Sequence, residues 1–413
     1  MPLPKESENY CYKCTMFIID YGNGSTEQVD PNLVYAIGIE KDYDADYFPI
    51  TYFNVALTPL QWNGVLENKT KARFRIRIDR FIMDQEGTPP TGRGTPIING
   101  SFAMYTQDNE KKLDLTLYNQ TKEVTGETGT SMNDVGVTRD LYVFIESAVN
   151  ASRVTCNAVL LSAPVHDMMT YLLNKCGVPN VLMSPNMNGL AKDQTILPPL
   201  TFIRMFEYLE EKYGLYPHGA LLFFDYNTTY LIDKSSECTA WRENEYKTTL
   251  ITVFKSEKSD QFINGSWKDH AKKINIIHIT RTNVFMRTNS IINNEVEAST
   301  YKLVNAKSGK VSSVNASTQH RGGNTEKIVT DNMSNSYLAG TMANRQRGES
   351  ESLEVAFTDI DITMLEPNKS FVFKFEDTDI DQARGGKYRI SFSKFSIDIK
   401  GKLSGKAIFK RTT

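Results

Sequence analysis

The stretch from Pro198 to Asp233, PPLTFIRMFEYLEEKYGLYPHGALLFFDYNTTYLID, divides the chain. The double proline Pro198-Pro199 enforces an extended approach. Phe202, Met205, Phe206, Leu209 and Tyr213 then recur at i, i+3, i+4, i+7 and i+11, one apolar face of a helix about three turns long. Gly214 follows the last periodic residue, where a left-handed cap needs glycine. Ala220 to Phe224 reads as a strand, Asp225-Tyr226-Asn227-Thr228 as a turn and Thr229 to Ile232 as a second strand. A helix feeding a hairpin is small and rigid. It separates a β-rich N-terminal part from a β-rich C-terminal part.

Upstream of this unit, Val165, Met169, Leu172, Leu173 and Cys176 recur at helical spacing, with Asp167 in the first turn and Gly177 at the end. A Pro/Asn/Gly-rich link over 178–199 follows, so 162–248 reads as a small α+β domain. Residues 31–161 read as an antiparallel β domain, a barrel or sandwich. Its strands are Val34–Ile39, Phe48–Leu57, Lys71–Asp79, Ser101–Thr106, Leu113–Tyr118, Leu141–Glu146 and Val154–Leu161, with loops over 84–99 and 121–137. Residues 1–30 read as an irregular arm.

Residues 249–413 read as a second β domain. Ile274–Thr280 is a strand, and alternation is strong in Leu353/Val355/Phe357, Phe371/Phe373/Phe375, Tyr388/Ile390/Phe392 and Phe395/Ile397/Ile399. Lys402–Arg411 is a last, basic strand, and the turn at Arg384-Gly385-Gly386-Lys387 joins two candidate strands. A polar excursion covers about 288–350; Lys307–Asn324 reads as a long mobile loop and Tyr337–Gly348 as a short helix. The two β domains echo each other: Ala56-Leu57-Thr58-Pro59 and Thr363-Met364-Leu365-Glu366-Pro367 each precede a charged, strongly alternating strand.

At 413 residues the chain has room for two to four domains. Its 47 basic and 49 acidic residues give no reason to expect a nucleic-acid or membrane surface. No apolar run approaches the roughly 18 residues of a membrane span. The start lacks the segments of a signal peptide, which predicts that the product stays where it is made. Five cysteines are too few and too scattered for a disulfide framework.

Chemistry-bearing patterns are sparse. Cys11-Tyr12-Lys13-Cys14 supplies two of the four ligands a structural zinc needs, with no histidine close by. His166 opens a helix, His218 sits in a Tyr-Pro-His-Gly turn, and His278 shares a strand face with Ile274 and Ile276. Glu207, Glu210 and Glu211 read as a solvated helix face with Lys212 as counter-charge. Arg73, Arg75 and Arg77 line one strand face; the readings are acidic partners within the domain, an inter-protein contact or, third, nucleic acid. No nucleophile elbow, zincin motif or phosphate loop is present. The chain is read as no enzyme, with no catalytic, cofactor-binding or metal residues.

Three features together resemble the baseplate hub proteins of contractile-tailed bacteriophages. One is the order β domain, α+β insert, β domain with a long loop. Another is the middle stretch: Ala163 to Gly177, Ile196-Leu197-Pro198-Pro199, Phe202 to Tyr213 and Phe223-Phe224-Asp225. The last is the run from Leu365 through Phe371 onward. The resemblance implies two tail-tube-like barrels flanking the insert. It further implies a homotrimer whose six barrels make a pseudo-sixfold ring between tail tube and central spike, with other baseplate proteins as partners. DNA would pass only as cargo, in a virion tail assembled in the host cytoplasm. A carbohydrate-binding or adhesin-type tail component is the alternative, and a cell-wall hydrolase a more distant one.

Overall fold

A computed structural model describes residues 10–83, 94–105, 137–178, 180–189, 191–255, 265–288, 298–305, 311–315, 324–330, 351–376 and 385–411. In the N-terminal section the strands are β1 (Tyr10–Asp20), β2 (Thr26–Val29), β3 (Val34–Asp42), β4 (Ile50–Leu57), β5 (Arg73–Ile82), β6 (Thr95–Tyr105) and β7 (Val137–Ile145). They pair antiparallel in the order β2-β1-β5-β6-β7-β4-β3. On β5 the alternation is as read: Phe74, Ile76 and Ile78 are fully buried and the arginines point away.

Two expectations fail here for physical reasons. Residues 1–30 were expected as an arm, but β1 pairs along its length with β5 and buries Tyr10, Tyr12, Phe17 and Ile19. A bulge between Cys14 and Met16 shifts the phase and breaks the alternation that would have revealed the strand. A helix, α1 (Pro59–Glu67), stands where only a turn was read. Thr58 caps it reciprocally with Gln61: the Gln61 amide donates to Thr58 Oγ1 at 3.2 Å and the Thr58 amide to Gln61 Oε1 at 3.0 Å. A further short helix, α2 (Glu146–Arg153), follows β7 and buries Ala148 and Ala151. The loop expected at 84–99 yields to β6 from Thr95; its remainder, and the strand expected at Leu113–Tyr118, lie outside the described residues.

The C-terminal section repeats this plan. Its strands are β13 (Thr248–Phe254), β14 (Gly265–Asp269), β15 (Ile274–Thr280), β16 (Val284–Thr288), β20 (Glu351–Thr358), β21 (Ser370–Phe375), β22 (Gly386–Ile397) and β23 (Leu403–Arg411). Leaving aside β14, which flanks β15, the order is β15-β13-β21-β22-β23-β20-β16. Position for position this is the N-terminal order. A 3-10 turn, Pro31–Leu33, links β2 to β3, and another, Arg281–Asn283, links β15 to β16. Helix α1 between β4 and β5 is matched by the 3-10 helix Ile362–Leu365 between β20 and β21. The Leu/Pro echo marks these two matching bends. One strand departs from the antiparallel plan: β13 runs parallel to both β15 and β21, because β14 carries the chain back before β15 begins.

The two sections share one sheet. The first residues of β22 pair with β21; after a bulge between Ile390 and Phe392, its second half pairs with β3, Phe392 opposite Asp42 and Ile397 opposite Ile37. The result is a continuous 15-stranded sheet.

Between the sections lies the middle unit. Strands β8 (Thr155–Pro164) and β10 (Ala191–Thr201) form a ribbon, and β9 (Val181–Met183), β11 (Ala220–Phe224) and β12 (Thr229–Asp233) form a three-stranded sheet. Helices α3 (Val165–Cys176) and α4 (Phe202–Tyr213) pack with them. Strand β8, expected to close the first β domain, belongs here because its partner in the ladder is β10. The link expected over 178–199 contains β9 and most of β10. Pro198 and Pro199 fall where the ladder breaks between Leu197 and Leu200, so their missing amides cost nothing.

Helix α4 buries Phe202, Met205, Phe206, Leu209 and Tyr213, as its spacing predicts, and Gly214 ends it at φ +67°. Of its glutamates Glu211 is exposed, as expected, but Glu207 and Glu210 are not a solvated face. Glu210 accepts the Leu215 amide at 2.7 Å and the Ala220 amide at 2.9 Å, and Glu207 accepts the Tyr47 hydroxyl at 2.8 Å. The 288–350 excursion is not featureless either: Ala298–Asn305, Val311–Asn315 and Asn324–Thr330 form a three-stranded sheet. These are β17, β18 and β19; the helix expected at Tyr337–Gly348 lies outside the described residues.

Candidate functional site

Each candidate from the sequence finds a local, structural place. Cys11 is buried in β1 and Cys14 donates to the Met16 carbonyl at 3.4 Å. Among the described residues no three His, Cys, Asp or Glu side chains gather as a metal site. Arg73, Arg75 and Arg77 of β5 each meet an acid of their own section: Arg73 with Glu146 at 2.7 Å, Arg75 with Asp20 at 3.2 Å and Arg77 with Asp79 at 2.8 Å. The His166 ring lies 3.1 Å from the carboxylate of its neighbour Asp167. His218 lies 3.0 Å from Asp233, which also accepts the His218 amide and the Asn186 side chain, so this carboxylate locks the end of the β12 hairpin. His278 stands between Trp267 and Phe254, at ring centroids 4.5 and 4.9 Å away, and burial lowers its pKa to about 4.

What the fold does assemble is a seam where all three sections meet. Asp44, just after β3, is contacted by Lys234 of the middle unit at 3.1 Å. From the C-terminal section it is met by Arg389 at 3.0 Å and Lys410 at 2.9 Å. Burial pushes the Asp44 carboxyl up, but the three cations outweigh it and hold it well below the usual carboxylate range. Beside it Lys41 pairs with Asp225 at 2.6 Å, and the Tyr43 ring packs edge-on against Phe223 at 4.6 Å. The backbone joins as well: the Phe224 amide donates to the Tyr47 carbonyl at 2.7 Å. Arg80 of β5 reaches the fully buried Asp361 of the C-terminal section, and the Tyr12 hydroxyl donates to the Ile360 carbonyl at 2.7 Å. Sequence reasoning missed this seam. The partners of Asp44 in the C-terminal section lie 345 and 366 positions away, and no local pattern marks them.

The outward side of the same seam is a broad sheet face. Lys394 of β22 pairs with Glu40 of β3 at 2.7 Å, and Lys406 of β23 with Glu354 of β20 at 2.9 Å. Tyr52, Tyr142 and Phe285 join these residues around a depression of about 550 Å³. Phe285 is 58% exposed and lies on β16, whose ladder has β20 as its one partner among the described strands. Of the tryptophans, Trp62 and Trp267 are buried, and Trp241 is half exposed with the Lys247 ammonium 3.2 Å from its ring centroid.

The comparisons agree with this architecture. No curated protein matches the chain. Among solved structures it is similar to the tail protein from Neisseria meningitidis MC58, at 10% identity and a TM-score of 0.51 over 98% of this chain and 97% of that one. It is also similar to the 43 kDa tail protein of prophage MuSo2 from Shewanella oneidensis, at 12% identity and a TM-score of 0.50 over the same shares. At such identities the likeness establishes a common fold, that of phage tail proteins, in line with the resemblance drawn from the sequence. The family described as Bacteriophage PBS1 gene 109 protein matches residues 112–410, most of the chain, and this protein belongs to that family.

Proposed function

We propose that this protein is a structural hub of a phage tail baseplate: a trimeric ring that joins the tail tube to the central spike and to neighbouring baseplate parts. The observation that carries the reading is the repeated strand order. A chain that folds the same plan twice lets three copies present six similar units to a sixfold tube while keeping threefold symmetry for a spike. Within one subunit the edge of β3 is covered by β22. The counterpart of β3 in the second section is β16, and its outer edge is open among the described strands. A neighbouring copy that covered β16 as β22 covers β3 would repeat the same junction, and three such contacts close a ring.

The paired charges of the outward face, Lys394 with Glu40 and Lys406 with Glu354, suit a wall past which DNA travels without being gripped. The ion-paired seam fixes the angle between the two sections, which a ring requires. Light scattering after gel filtration, with end-on averaged images, tests the proposal. A trimer with six lobes around a hole is expected. A monomer that does not assemble even with the tube protein present would overturn it.

A further inference from the structure

Ladder register sets a row of side chains straight across the outward sheet face. Tyr142 of β7 stands opposite Tyr52 of β4, Tyr52 opposite Gly38 of β3, Gly38 opposite Ser396 of β22, and Ser396 opposite Ser404 of β23. Strands lie about 4.8 Å apart, so these four steps cover about 19 Å. No member of the row is charged. Glycine at 38 shapes it: a methyl group there would overlap the Tyr52 ring, which leans across β3 toward the serines. The Tyr142 ring follows at 5.9 Å between centroids, tilted by 38°, and keeps 36% of its surface exposed.

A second row runs beside the first, two residues along each strand. Glu40 stands opposite Lys394, and Lys394 opposite Lys406. Each ammonium is already matched, Lys394 by Glu40 at 2.7 Å and Lys406 by Glu354 at 2.9 Å. Both pairs line the depression of about 550 Å³ together with the tyrosines and the serines, a volume within the roughly 300–1,000 Å³ of ligand sites. Neutralised pairs give a polyanion little to gain. The five strands of the row each have partners on both sides, so the face leaves no backbone edge for an extended peptide. Aromatic rings beside alternating acceptors and donors suit a ligand with an apolar C–H face and a rim of hydroxyls, each of which both donates and accepts.

We propose that this face binds a neutral oligosaccharide, a chain of about three hexoses laid along the row from Tyr142 to Ser404. The C–H faces of the first units stack on Tyr142 and Tyr52. Their hydroxyls donate to Glu40 and accept from Lys394, and the two serine hydroxyls bond the far end. One chain supplies the whole site, so the proposal does not rest on the ring and its failure leaves the ring untouched.

Titration calorimetry on the full chain with maltotriose, mannotriose, galactotriose and chitotriose tests it. At least one should bind with a Kd of about 1 mM or tighter, while trigalacturonate and a thymidine oligonucleotide should not reach that affinity. Tyr142→Ala should weaken the bound sugar about tenfold, and Gly38→Ala should do the same by pushing the Tyr52 ring off the row. Thermal midpoints check that the variants fold, and Tyr142→Ala changes a half-open surface ring that the fold does not need. Glu40→Gln leaves the Lys394 ammonium without its partner, so it should weaken the neutral sugar and admit trigalacturonate. None of the four sugars reaching about 1 mM, undiminished binding in Tyr142→Ala, or tighter binding of the oligonucleotide than of any sugar would each overturn the proposal.

Discussion

Asp44 holds three cations drawn from two other parts of the chain, so its loss is felt well beyond its own turn. Asp44→Ala leaves Arg389, Lys234 and Lys410 crowded without a counter-charge and should cost about 3–5 kcal/mol in urea unfolding. The sign with pH follows from the shifts. The Asp44 carboxyl is depressed when folded. The Glu245 carboxyl, raised by burial, is pulled down by Lys369 to about 2 from an ordinary 4.5. Their contribution is present above the ordinary carboxylate range and is lost as the pH falls from about 4.5 toward 2. His278 acts earlier. Its folded pKa of about 4 lies below the ordinary 6.5, so the unfolded chain takes up the proton first, and stability is lost as the pH falls from 6.5 to about 4. Urea midpoints measured against pH should therefore fall in two steps, and His278→Phe should remove the upper one alone. Only part of this was legible in the sequence. Acidic partners for Arg73, Arg75 and Arg77 were among the readings, because charges on one strand face call for them. The role of Glu210 was hidden, since its partners are backbone amides beyond the helix, of Leu215 and of Ala220 at the start of β11, which no side-chain periodicity reports.

The helix α4 and the β11–β12 hairpin were legible because their periodicity is unbroken and their ends are signalled by residue type. Gly214 is one such signal. At φ +67° a β-branched side chain is strained, and Gly214→Val should lower stability by about 1–2 kcal/mol, seen as a shifted denaturant midpoint with an unchanged slope. Helix α1 was passed over although Thr58, Pro59 and Gln61 spell a capping box, because nine residues are too few for a clear apolar stripe. Thr58→Ala should cost about 1 kcal/mol. Strand β1 was hidden by its bulge, and β8 was placed in the wrong unit because alternation identifies a strand without naming its partner.

Across the whole molecule, the repeat was visible in the sequence only as two Leu/Pro bends, since strand order is set by long-range pairing and leaves no local trace. The structure makes it checkable at one residue. Phe285 stands exposed on β16, whose outer edge is open among the described strands, and Phe285→Lys should leave the thermal midpoint within about a degree while reducing the proposed trimer to monomers in light scattering. Trimers that persist at micromolar concentration would show that β16 is not the joining edge. The β22–β3 junction also orders events during synthesis. Phe392 pairs with Asp42, about 350 positions earlier. The N-terminal sheet is thus on hand, its β3 edge bare, long before the strand that covers it leaves the ribosome. During that interval the edge is open to the same strand of a chain growing alongside, and the exchange gives entangled dimers. Refolding from denaturant should accordingly be slow and should lose yield steeply as concentration rises, whereas chains synthesised far apart reach the native junction in their own time.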